Sequence, residues 1–150
     1  MLNIKLISLM LLAFINVVGI AMPYPILSPL ILGVELPQLF NFSPMMTAMF
    51  VLSLYPLGQF LAAPIMGAYS DRIGPRKVVT LSMSFTALGY LSSAYSLYQR
   101  DIVLFCLTRF ITGLSEGNFA VLRAELGRLP LTATNRVKLF GYFNLSLIHI

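Results

Sequence analysis

Charge is what this sequence has least of. Only 10% of its 150 residues are Asp, Glu, Lys or Arg, against about 25% in an ordinary soluble domain. With 58% hydrophobic residues and a mean hydropathy of +0.86, the chain has too few polar groups to cover a soluble surface at this length. Disorder is excluded too, because it needs low hydrophobicity and high charge. Cysteine is nearly absent: Cys106 stands alone inside an apolar run, which excludes an internal disulfide framework and a cysteine-based metal site. The single histidine, His149, stands next to the last residue, so neither a histidine metal site nor a Ser-His-Asp triad can be assembled. These absences exclude soluble enzymology and leave an integral membrane protein, with no enzyme activity and no cofactor or metal expected.

What is present is a series of long uncharged runs. There are 29 uncharged residues between Lys5 and Glu35, 35 between Glu35 and Asp71, and 22 between Lys77 and Arg100. A fourth run, 102–122, is interrupted only by Arg109 and Glu116. A membrane-spanning helix needs roughly 20 apolar residues. The runs predict spans at about 6–29, 46–69, 78–98 and 102–122, with a fifth begun at about 137. The stretch between Pro37 and Pro44 reads as a loop. The first run imitates a signal peptide, but it exceeds the usual h-region and more membrane helix follows it. Four crossings and a stump read as part of something longer.

The basic residues orient the bundle. Lys5 precedes the first span; Arg72, Arg76 and Lys77 follow the second; Arg123, Arg128, Arg136 and Lys138 follow the fourth. Eight of the ten lie on one side, against Arg100 on the other and Arg109 within a span. The positive-inside rule then expects the N-terminus and both basic loops in the cytoplasm of a multi-pass cell-membrane protein. This distribution explains the pI of about 9.7 without nucleic acid. The basic loops have anionic lipid headgroups as natural neighbours.

The second connection is the most informative stretch: Gly67-Ala-Tyr-Ser-Asp71-Arg72-Ile-Gly74-Pro75-Arg76-Lys77. Gly74 tolerates positive φ and Pro75 suits the first position of a helix, so the pair predicts a tight turn. Asp71 falls at the C-terminal end of the second span, where the helix dipole disfavours a carboxylate. It calls for an arginine or the N-terminus of another helix; a solvated loop of random charges is the alternative.

This stretch resembles the cytoplasmic signature loop of the major facilitator superfamily, Gly-x-x-x-Asp-Arg-x-Gly-Arg-Lys/Arg. Gly67, Asp71, Arg72, Gly74 and Arg76 match it; Pro75 departs, and Lys77 supplies a charge one step later. Arg109-Phe-Ile-Thr-Gly113 in the fourth span is similar to the family's Arg-x-x-x-Gly motif. Tyr55-Pro-Leu-Gly58 and Asn16-Val-Val-Gly19 also look like the drug:proton antiporter branch. The resemblance implies an all-α, polytopic membrane helix bundle of twelve helices in two six-helix halves. Residues 1–150 would be part of the N-terminal half, its first four helices and part of the fifth, and the C-terminal half of the same protein would be a missing partner.

In such a transporter each half is built from inverted repeats, so the first span corresponds to the fourth. Both are broken here, the first by Asn16, Gly19, Pro23 and Pro25, the fourth by Arg109, Gly113, Glu116 and Gly117. Broken helices in corresponding positions point to a translocation pathway. Arg109, Gly113, Glu116 and Gly117 share one helical face about 100° wide. Arg109 and Glu116 lie roughly 10.5 Å apart along the axis, too far for a direct ion pair, so each needs a partner on another helix or water. Asn16 is the expected partner across the cavity. The bland readings are close packing for the Gly113/Gly117 pair and an aromatic belt for Tyr69, Tyr90, Tyr95 and Tyr98.

The expected function is secondary transport of a small solute by alternating access, sharpened to proton-coupled antiport, with Glu116 trading protons and Arg109 holding it or the substrate. Two alternatives stay open. One is a small four-helix structural or assembly membrane protein; the other is a fragment that transports nothing by itself.

Overall fold

The structure, a computed structural model, describes residues 2–21, 23–32, 42–130, 135 and 137–141. Every element in it is helical. Helices α1 (Leu2–Ala21) and α2 (Pro23–Leu32) together cover the first predicted span. The stretch Leu6–Leu30 is long and apolar enough to cross a membrane.

Helix α3 (Pro44–Ile73) is the longest element and is also long and apolar enough to span. Its start is capped by Ser43, whose hydroxyl accepts from Met46 N, with Pro44 at the first position. Proline fits there because that N–H would be orphaned anyway. α3 runs four residues beyond the span predicted from hydropathy, so Asp71 and Arg72 belong to its last turn rather than to a loop. Gly74 ends it with φ +93° and donates its N–H to Ser70 O at 3.0 Å. That φ carries a steric penalty for any residue with a Cβ. Pro75 then starts α4 (Pro75–Tyr98) directly, so the expected tight turn is a single residue long.

Helix α5 (Ile102–Ser115) begins at an Asp101 cap, whose carboxylate accepts from Val103 N and Leu104 N at 3.0 Å each. A carboxylate at a helix start also meets the positive end of the dipole. The fourth run is not one helix. It passes through a 3-10 turn at Glu116–Asn118 and resumes as α6 (Phe119–Gly127). Residues 137–141 are helical again; the remainder of the predicted fifth span, and the loop at 37–41, lie outside the described residues.

Packing is organised on α3 and α5. Val51 of α3, Phe105 of α5 and Leu27 of α2 meet in one core cluster. Val78 and Val79 of α4 meet Val121 and Leu122 of α6 in a second, and Ala13 of α1 meets Leu126 and Leu129 in a third. The outer face is the inverse of a soluble protein's. Phe60 (76% exposed), Leu91 (68%) and Ile65 (68%) point outward, while Arg109, Glu116, Asn16 and Asn118 are buried. Water would penalise such a surface; a lipid environment matches it.

Candidate functional site

The site grows from the seam between α3 and α5. A Cβ placed on Gly113 would strike the carbonyl oxygen of Tyr55, and one on Gly58 would come within 2.6 Å of Phe110 O. A Cβ on Gly117 would lie 2.7 Å from Ala62 Cβ. Small residues at these points let the two backbones approach closely. The face that carries Gly113 and Gly117 is therefore turned toward α3, and both glycines serve the seam.

That approach brings Tyr55 between the two charges of the fourth run. Its hydroxyl donates to Glu116 Oε2, and its ring lies under the Arg109 guanidinium, 4.4 Å from ring centroid to Cζ. Tyr90 of α4 donates to the other carboxylate oxygen, Oε1, at 2.9 Å. Glu116 is 2% exposed and sits at the start of the 3-10 turn, so the helix break and the carboxylate coincide. Helix α1 closes over this arrangement at Gly19. A Cβ there would lie 2.5 Å from the Tyr90 hydroxyl and 3.3 Å from Glu116 Oε1.

Asn16 does not play the part expected of it. Its Nδ2 donates to Leu12 O, one turn back in its own helix, at 2.9 Å, and its buried Oδ1 has no partner among the described residues. The groups that hold Arg109 and Glu116 are aromatic, Tyr55 and Tyr90. Tyr90 is thus drawn inward from the expected belt, whereas Tyr69, Tyr95 and Tyr98 remain exposed. The sequence carried one signal for Tyr55, its place beside Pro56 and Gly58 in a family-like stretch; nothing distinguished Tyr90 from its neighbours on α4.

Two open cavities flank the cluster. One, of about 350 Å³, is walled by Arg109 and Tyr90 at its polar side and by Ile26, Leu97 and Phe105 elsewhere. The other, of about 340 Å³, reaches Glu116 from the opposite direction, past Gln59 and Phe119. Below the site, Asn118 donates to Ser82 Oγ at 2.6 Å and ties the 3-10 turn to α4.

At the far end of α3, Asp71 accepts from Arg128 Nη2 at 3.0 Å. Arg128 also donates to Glu125 Oε1 at 3.1 Å, and these two carboxylates hold its guanidinium above the ordinary arginine range. The expected arginine partner of Asp71 is therefore found within this chain, just past α6. A Cβ on Gly67 would meet nothing within 4 Å among the described residues; Arg72, Arg76 and Lys77 are exposed.

A bundle that turns Leu, Ile and Phe outward and encloses Arg, Glu and Tyr at a helix break defines a class: integral membrane proteins with a polar interior. Within that class the chain belongs to the Major Facilitator Superfamily, whose family model matches residues 9–147. It is 34% identical over 106 residues to the riboflavin transporter RibZ of Clostridioides difficile, covering 70% of this chain and 23% of that protein. It is 34% identical over 96 residues to the class B tetracycline resistance protein of Escherichia coli, covering 64% of this chain and 23% of the relative. The class H tetracycline resistance protein of Pasteurella multocida is 28% identical over 141 residues, 93% of this chain and 33% of its own length. The chain thus spans about a quarter to a third of the curated relatives it matches. No solved structure matches it.

Proposed function

We propose that this chain is part of the N-terminal six-helix half of a secondary transporter that moves a small solute by alternating access, coupled to protons. The observation that carries the reading is Glu116: a carboxylate buried at a helix break, gripped by two phenols, with a cavity on either side of the cluster. A carboxylate in such surroundings switches protonation when access to it changes, and a buried guanidinium nearby biases that switch. The Tyr55 ring, touched by Arg109 on its face and by Glu116 through its hydroxyl, links the two. Binding energy shifts the balance between inward- and outward-open states, and no covalent step is needed. The rest of the same protein supplies the other walls of the pathway, and the N-terminus faces the cytoplasm.

The test uses the full-length protein in proteoliposomes with an imposed pH gradient. Glu116→Gln is expected to abolish the pH dependence of transport while substrate binding stays measurable; Arg109→Ala is expected to damage both. A Glu116→Gln variant with the wild-type pH profile would reduce Glu116 to a structural polar group.

A further inference from the structure

Arg109 is the member of the cluster with no direct ion pair among the described residues. It is 2% exposed, and its buried Nε has no acceptor among the described residues. Glu116, the nearest carboxylate in the cluster, accepts from Tyr55 and Tyr90 rather than from Arg109. Among the described residues Arg109 rests on the face of the Tyr55 ring. A buried guanidinium in that position gains most from an anion or a strong hydrogen-bond acceptor, delivered from outside the bundle.

The cavity of about 350 Å³ offers the route, because Arg109 forms part of its wall. No carboxylate stands among the described residues that line it; Tyr90 and Ser93 are its other polar groups, and Ile26, Leu97 and Phe105 make an apolar side. Its volume is at the small end of the range for small-molecule sites, about 300–1,000 Å³. A cationic ligand would meet Arg109 with nothing to neutralise it. We infer that this cavity takes a small amphipathic organic anion, its carboxylate-type head on Arg109 and its apolar body against Phe105, Leu97 and Ile26. This rests on the transport reading and names its substrate class.

The experiment is equilibrium binding to purified full-length protein in lipid nanodiscs, with three probes on one framework: 4-phenylbutyrate, 4-phenylbutan-1-ol and 4-phenylbutylamine. The carboxylate is expected to bind saturably and at least about tenfold more tightly than the alcohol, with the amine weakest; tenfold is the scale of a charge-assisted hydrogen bond. Inorganic phosphate, an anion without an apolar body, is expected to compete poorly. Arg109→Gln should erase the preference among the probes and Arg109→Lys should keep most of it. Ala94→Phe, which fills the cavity with Arg109 intact, should abolish carboxylate binding. The inference is overturned if the amine binds as tightly as the carboxylate in the unmutated protein, a comparison that needs no variant to fold. It is equally overturned if the preference survives Arg109→Gln or if Ala94→Phe binds 4-phenylbutyrate normally. No gradient is imposed, so failure of proton coupling at Glu116 would appear in the transport assay and leave this preference standing.

Discussion

Gly113→Ala is the most direct test of the seam that assembles the site. Alanine is intrinsically better than glycine in a helix by about 0.5–1 kcal/mol, so propensity alone favours the substitution. Geometry opposes it. The added methyl would meet the carbonyl oxygen of Tyr55, with the Tyr55 carbonyl carbon at 3.0 Å and its Cα at 3.1 Å. These are backbone atoms of a neighbouring helix and cannot swing aside as a side chain can. Overpacking costs about 1–3 kcal/mol, and a backbone obstacle belongs at the upper end. The net expectation is a loss of about 2 kcal/mol, from an overpacking cost near 3 less a propensity gain near 1. Gly67→Ala is the control: nothing among the described residues lies within 4 Å of a Cβ placed there, so it should be neutral or gain up to about 1 kcal/mol. Reversible denaturant unfolding of the full-length protein in detergent micelles measures both. Equal stability of the two variants would refute the seam. Unchanged stability with lost transport would return Gly113 to the pathway.

Two further outcomes concern the proposed orientation and the Asp71–Arg128 pair. Asn135→Cys, exposed after α6, should resist a membrane-impermeant thiol reagent applied to intact cells, while Ser43→Cys, at the exposed start of α3, should react; the reverse pattern would invert the proposed orientation. Asp71→Asn should leave stability within about 1 kcal/mol of the parent, because Asp71 and Arg128 form an exposed pair and such pairs contribute little. Its transport turnover should fall, and the charge-reversed double variant Asp71→Arg/Arg128→Asp should recover it. A double variant as slow as Asp71→Asn alone would show that the pair does not govern the cycle.

Composition and local chemistry by themselves determined the class, the helices and their interruptions. Scarce charge and long apolar runs leave no other solvent than lipid, and positive φ at Gly74 followed by Pro75 makes a turn wherever the chain goes. The 3-10 turn at Glu116 falls where glycine and charge interrupt the fourth run. The same local information placed Asp71 against its own helix dipole and so called for a cation.

Which cation, and which partners for Glu116, only the tertiary structure decided. Arg128 stands 57 residues from Asp71, Tyr55 lies 61 residues from Glu116 and Tyr90 lies 26 from it. None of these distances has a period that a helix repeats. Tyr55 reaches the carboxylate because glycines at 58, 113 and 117 bring α3 close to the fourth run, and Tyr90 because Gly89 lets α4 approach Thr112 of α5. Asn16, acceptable by composition as a partner, turns its amide to Leu12 instead. A helical wheel shows which residues share a face; the neighbouring helix decides what that face meets, because contact depends on the packing of both backbones.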